Sequence, residues 1–290
     1  MDESISIALQ KLARGDYQGM LAVMDRAISI DPSNPRSYSL RGVAKSGLAD
    51  RQGALTDHNR SIAINPHDSR SYNNRGIVKA DLGDKKGAID DYNHAIEIDP
   101  HLAVAYINRG NAKSDLGDKQ GAIQDYTRAI AMNSSLAVAY INRGNAKSDL
   151  GEKQGAIADY SYAISIDPLH PPTYNNRGIA KSALGDRQGE IDDYDRAIEL
   201  DPDYIDAYNN RGFAKYKLGD RKGALADCNA AIAIDPHYAP PYNSRGLVKS
   251  ALGDKQGALE DLRTAAALYQ QAGQLADYQS VRISIERLRF

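Results

Sequence analysis

Arginine and lysine recur four residues apart along this chain, at Arg41/Lys45, Arg75/Lys79, Arg109/Lys113, Arg143/Lys147, Arg177/Lys181, Arg211/Lys215 and Arg245/Lys249. Like charges at this helical spacing repel slightly, so something must compensate them. Sixteen residues after each arginine stands an aspartate: Asp57, Asp91, Asp125, Asp159, Asp193, Asp227 and Asp261. Two chemistries fit. The cations could form a basic track for an acidic ligand, or each guanidinium could be neutralised by its own aspartate and make a poor landing site. The start of the chain favours the second. It has Ile7 in the arginine position and Val23 in the aspartate position, so the two charges vanish together. On this reading the lysine lays its stem along the fold and turns its amine outward. Glu190, where most equivalent positions hold alanine, is placed to meet Lys181.

A second recurring set is neutral. Asn74, Asn108, Asn142, Asn176 and Asn210 stand 34 residues apart, and Asn73, Asn175, Asn209 and Asn243 precede equivalent positions. Asparagine is a mediocre helix former, so its repetition within a helix asks for a reason. A carboxamide carries donors and an acceptor together and can bind a backbone peptide group regardless of side chains. Helices pack about 8–10 Å apart and an extended chain rises about 3.3 Å per residue. One such asparagine could therefore clamp about every third residue of an extended peptide. The alternative is that each asparagine bonds its neighbour helix or decorates a wet surface.

Other chemistry is absent. No phosphate-binding loop, dinucleotide fingerprint, zincin helix or nucleophile elbow occurs. The histidines are scattered; His67, His101 and His237 recur at one turn position, too far apart to share a metal. Cys228 stands alone, which excludes a disulfide and suits a reducing compartment; it occupies a position otherwise held by packed tyrosines and is expected to be a buried, inert thiol. Asp90–Asp91 and Asp192–Asp193 look like paired acids, but only the second of each belongs to the recurring aspartates, so the first is solvated surface charge. Neither a catalytic site, a cofactor nor a metal is implied.

The elements that position these residues follow from a period. Written in rows of 34 from Met1, the chain gives eight rows without insertion, 1–34, 35–68, 69–102, 103–136, 137–170, 171–204, 205–238 and 239–272, and a tail, 273–290. LAVAYINRGNAKSDLG stands verbatim at 102–117 and 136–151. Tyrosine fills column 4 and glycine column 8 in rows two to eight; column 19 is glycine throughout, and column 32 is mostly proline. Each row reads as two helices. The first covers roughly columns 2 to 14 and usually ends in Leu-Gly. Asp or Glu at column 16 then caps the second, whose apolar residues at columns 20/21, 24, 27/28 and 30 make one buried face. Asp-Pro or Asn-Pro stops it.

A 34-residue repeat with aromatic, Gly, Ala, aromatic, Ala and Pro at these columns resembles the tetratricopeptide family, over about 270 of the 290 residues. The resemblance implies an all-α, right-handed superhelical solenoid of helix hairpins, with columns 2, 5, 6, 9, 12 and 13 facing its concave surface. Neighbouring hairpins must bury one another's apolar faces, so terminal rows should differ. Row one has Met20 and Met24 in place of Ala and Tyr; row eight has Leu262 and no terminal proline. In the tail Leu275, Tyr278, Val281, Ile285 and Leu288 form one stripe, expected to be a capping helix that finishes a complete solenoid. The wording NRG, AKS and LGD resembles repeats abundant in photosynthetic bacteria.

Within the family, the asparagines resemble the ladder in the repeat domain of the protein O-linked N-acetylglucosamine transferases. They do not reproduce the carboxylate clamp of co-chaperone repeats. Asn111 and Asn145 fit part of it, but Ile107, Ile141, Pro172 and Asp206 replace its cations, so binding of chaperone tails is not expected. Row seven departs most on the inner face, with Phe213, Tyr216 and Lys217. This cluster is either an interaction hot spot or a filler between rows. Pro171, Pro172, Pro240 and Pro241 fit helix starts.

Net charge is −2 and the isoelectric point is near 6.3, which argues against nucleic acid as partner. No stretch approaches a membrane span, and the acidic start lacks a secretory signal's apolar run. The expectation is a cytoplasmic, monomeric scaffold that binds extended segments of one or more partner proteins. Asn74, Asn108, Asn142, Asn176, Asn210, Phe213, Tyr216 and Lys217 would line the groove. A self-stacking or spacer module is the alternative, and a nucleic-acid binder or an enzyme a further one.

Overall fold

Aspartate at column 16 starts a helix because its carboxylate accepts the first free backbone N–H. In the computed structural model, which describes residues 3–289, Asp118 caps Gly121 N at 2.8 Å, and Asp16, Asp50, Asp84, Asp186, Asp220 and Asp254 do the same. The column-19 glycine answers to this cap. A Cβ on Gly121 would lie 2.1 Å from the Asp118 carboxylate. The column-15 residue closes the preceding helix in the left-handed region, with Gly117 at φ 90° and, alone among non-glycines described, Ala49 at 64°.

The described residues form seventeen helices, with no strand among them. They fall into two compact units, Met1–Leu150 and Gly151–Phe290. The first unit contains α1 (Glu3–Ala13), α2 (Tyr17–Ile30), α3 (Pro35–Gly47), α4 (Arg51–Ile64), α5 (Ser69–Asp81), α6 (Lys85–Ile98), α7 (Ala103–Asp115), α8 (Lys119–Met132) and α9 (Ala137–Asp149). The second contains α10 (Lys153–Ile166), α11 (Pro171–Ala183), α12 (Arg187–Leu200), α13 (Ile205–Lys217), α14 (Arg221–Ile234), α15 (Ala239–Ala251), α16 (Lys255–Gln271) and α17 (Leu275–Arg289). From α1 to α16, odd helices are the first helices of the repeats and even ones the second, and α17 is the tail helix. Within each unit every helix packs on the next in sequence, and first helices also touch first helices, α3 on α5 and α11 on α13 among them. A continuous face of first helices results in each unit.

Close approach inside a hairpin depends on column 8. A Cβ on Gly110 would meet the Tyr126 ring at 2.7 Å, and one on Gly76 the Tyr92 ring at 2.6 Å. Those rings are buried with Ala122, Ala129 and their equivalents. At the start of the chain Met20 and Met24 fill the same space flexibly. At the other end Val281 and Ile285 of α17 are buried against Leu262, Ala265 and Tyr269, with Tyr278 and Leu288 partly covered. Leu275 corrects the expected stripe. It is 64% exposed, because it is the first residue of α17, where a side chain leans back past the helix end and not onto the packed turns. Pro171 and Pro240 stand in the first turns of α11 and α15, as expected.

Candidate functional site

Six of the column-7 arginines are held on three sides. Arg109 donates through Nε and Nη2 to both oxygens of Asp125, at 2.9 and 2.6 Å, a bidentate fork. Its Nη1 reaches back to Asn93 of the preceding repeat at 2.7 Å, and its guanidinium lies 5.4 Å from the Tyr106 ring centroid. The fork recurs at Arg41–Asp57, Arg75–Asp91, Arg177–Asp193, Arg211–Asp227 and Arg245–Asp261. The backward bond recurs at Asp25, Asn59, Thr127, Ser161, Asp195 and Asn229.

The column-11 lysine does not turn outward as expected. Lys113 Nζ lies 2.8 Å from Asp125, and Lys45, Lys79, Lys181, Lys215 and Lys249 sit equally close to their own aspartates. A buried carboxylate needs both cations, because taking it out of water costs more than one partner returns. Lys181 is thereby occupied, and Glu190 pairs instead with Arg187 at 3.0 Å. In the first repeat, where Val23 replaces the aspartate, Lys11 turns to Asp16 at 2.7 Å. Burial alone would raise the Asp261 carboxyl, but hydrogen bonds from Arg245 and Lys249 outweigh it and hold it below the usual carboxylate range. The recurring cations are therefore structural.

The asparagines link first helices in sequence. Asn108 donates to Asn73 Oδ1 at 3.0 Å and Asn142 to Asn111 Oδ1 at 2.9 Å; Asn111 also accepts from the Tyr126 hydroxyl. In the second unit Asn210 donates to Asn175 Oδ1 at 3.0 Å. Asn74 accepts from Asn73 at 3.4 Å, and Asn176 is half-buried beside Asn175 on α11. Each of these donations uses one of the two N–H bonds of its amide. Asn142, with Asn111 and Asn145, lines a shallow cavity of about 340 Å³. Asn210 lines one of about 320 Å³ with Phe213, Lys217, Tyr194 and Glu190. Phe213 is 38% exposed, 6.4 Å from the Tyr216 ring, and Lys217 Nζ stands 4.5 Å above its face.

Tetratricopeptide repeat models match residues 69–102 and 103–135, 137–168 and 171–204, and a TPR repeat model matches 191–219. The chain belongs to the tetratricopeptide repeat family. Among solved structures of tetratricopeptide type, it is similar to MamA, at 28% identity over 58% of this chain and 92% of that one, with a TM-score of 0.53. It shares its fold with the APC/C hetero-tetramer Cut9–Hcn1, at 18% identity over 94% of this chain and 52% of that one, TM-score 0.66. It also shares it with YrrB, a TPR protein with an unusual peptide-binding site, at 19% identity over 63% and 95%, TM-score 0.53. No curated protein matches the chain. Tetratricopeptide repeat proteins are in general scaffolds for protein–protein interaction and typically not catalysts.

Two features of this tetratricopeptide chain escaped sequence reasoning. The backward acceptor at column 25 is legible in hindsight, since a polar residue stands sixteen positions before every column-7 arginine and the eighth row, with no arginine after it, has Arg263 there. The tyrosine of column 4 stacks on that same arginine in all seven rows that carry both, at 5.3–5.7 Å. The isolated titratable groups are packed. His58 replaces the column-24 tyrosine, is 1% exposed, and burial lowers its pKa to about 4. Burial pushes the Cys228 thiol up to about 12. No helix among the described residues is long and apolar enough to cross a membrane.

Proposed function

We propose that the chain is a monomeric protein-interaction scaffold that holds extended segments of partner proteins along the face of its first helices. The observation that carries this reading is the asparagine ladder. Carboxamides that hydrogen-bond to one another from repeat to repeat, as Asn108 does to Asn73, are fixed in place and retain hydrogen-bonding capacity toward a peptide backbone. Asn142 and Asn210 extend the ladder, Asn74 and Asn176 stand at the same position of their repeats, and Phe213, Tyr216 and Lys217 supply a side-chain anchor in the second unit. YrrB, of the same fold, is a TPR protein with a peptide-binding site, which supports a peptide ligand. The pairing of six column-7 arginines with buried aspartates counts against nucleic acid, and the lone, buried Cys228 suits a cytoplasmic scaffold.

The test is a pull-down from the source organism's lysate with wild type and Asn108→Ala/Asn142→Ala/Asn176→Ala, after circular dichroism establishes equal folding. A partner captured by wild type and lost by the variant supports the ladder as a clamp. A partner retained by both shifts binding away from the ladder, and Phe213→Ala then separates the aromatic anchor from the outer surface.

A further inference from the structure

The ladder stops toward the start of the chain, and a different surface begins. Where later repeats present Asn108 and Asn111, the second presents Leu40 and Val43, and the first adds Leu9 and Leu12. These four side chains line a cavity of about 550 Å³ between α1, α3 and α5, larger than those at Asn142 and Phe213. Arg36 and Arg70 stand at its edge, both exposed. They differ from the arginines of column 7: neither side chain makes an ion pair or hydrogen bond among the described residues. Asp68, the acid at the same edge, is already committed, accepting from the Ser71 hydroxyl at 2.5 Å and from the Arg70 backbone N–H at 3.3 Å. Equivalent positions in later repeats carry no cation; Val104, Val138 and Asp206 stand there.

We propose that this cleft docks an internal acidic–apolar segment of a partner protein, its apolar side chains seated on Leu9, Leu12, Leu40 and Val43 and its carboxylates paired with Arg36 and Arg70. The proposal rests on the reading of the first-helix face as a peptide groove and specifies where and by what chemistry the groove selects. Charge complementarity decides the occupant. Two unpaired guanidiniums beside an apolar floor, against the single carboxylate of Asp68, leave the cleft net positive; it repels a basic segment and its guanidiniums fork to carboxylates. The arginines lie on successive first helices, which pack about 8–10 Å apart. An extended chain rises about 3.3 Å per residue, so the matching acidic residues stand two or three positions apart with an apolar residue close by.

The test is a phage-displayed library of random 12-residue peptides, fused at the C-terminus so that no terminal carboxylate is offered, panned on the full-length chain. Enriched sequences are then measured by fluorescence anisotropy as amidated peptides on wild type, Arg36→Glu/Arg70→Glu, Leu9→Glu, and Asn108→Ala/Asn142→Ala. The expected result is enrichment of Asp or Glu two or three residues apart beside Leu, Ile or Phe. Affinity should fall at least tenfold in the arginine variant and several-fold at 0.5 M salt. Equal thermal midpoints would show that these exposed substitutions leave the fold intact. Enriched peptides without an acidic bias, or binding that survives arginine reversal and is lost in the asparagine variant, would overturn the proposal while leaving the groove reading standing. No enrichment over the bare support would overturn both.

Discussion

At Asp125 one carboxylate answers two cations, and that ratio sets what its loss should do. Asp125→Ala leaves Arg109 and Lys113 facing each other without an anion. It should cost about 3–4 kcal/mol, the lower part of the range for breaking a buried pair because the cations can partly rehydrate. The double change Arg109→Ile/Asp125→Val reproduces the first repeat, with Lys113 free to turn to Asp118 as Lys11 turns to Asp16. Urea unfolding should find the double variant closer to wild type than the single one, a coupling that a double-mutant cycle measures directly. His58 sets a pH dependence. Its folded pKa of about 4 lies below the ordinary 6.5, so the unfolded chain takes up the proton first. The stability it contributes is complete above about pH 6.5 and is lost as pH falls toward 4, a few kcal/mol at about 1.4 kcal/mol per unit. His58→Tyr restores the residue of neighbouring repeats. Its melting temperature should fall less than that of wild type between pH 7 and 5.

The two verbatim copies differ at the cap of the element that follows them. Asp118 accepts the Gly121 N–H, whereas Glu152, one methylene longer, makes no side-chain cap bond to α10. Glu152→Asp should therefore stabilise by about 0.5–1 kcal/mol, read as a rise in urea midpoint. Ala49→Gly should act in the same direction. It relieves about 1–2 kcal/mol of left-handed strain, less the extra entropy that glycine gives the unfolded chain. Helices were the most legible level of this sequence. Period, Leu-Gly stops and column-16 caps all place them, because capping and burial depend on residues a few positions away. The aspartate partner of each arginine was legible for a similar reason, being fixed by one antiparallel turn. The fate of the lysine amine was not. It depends on how much of the aspartate is buried, and no local spacing encodes that. Leu275 misled in the same way, since a stripe says which side of a helix is apolar and not where its neighbour ends.

Over the whole chain, stability should add up from repeats and their junctions. The last repeat relies on α17, which covers Leu262, Ala265 and Tyr269 with Val281 and Ile285. A chain ending after Ala272 should lose stability and self-associate through the uncovered face, visible as a concentration-dependent rise in light-scattering mass. The candidate site was legible unevenly at this scale. The asparagines and the Phe213 cluster are conspicuous as columns. Arg36 and Arg70 look like any surface arginine until the cations of columns 7 and 11 have been assigned to their aspartates.

The backward bond of each arginine has a consequence for how such a chain can change length. Arg143 finds Thr127 one repeat earlier, and Asn142 finds Asn111. A further copy of 103–136, spliced in after itself, would offer the same donors at its leading edge and the same acceptors at its trailing edge. Every junction would be one the molecule already makes. The repeat is a coupling with matched male and female ends, and the number of couplings can vary by simple duplication while the chemistry of each joint stays unchanged. The identical pair at 102–117 and 136–151 is what such a lengthening would leave behind.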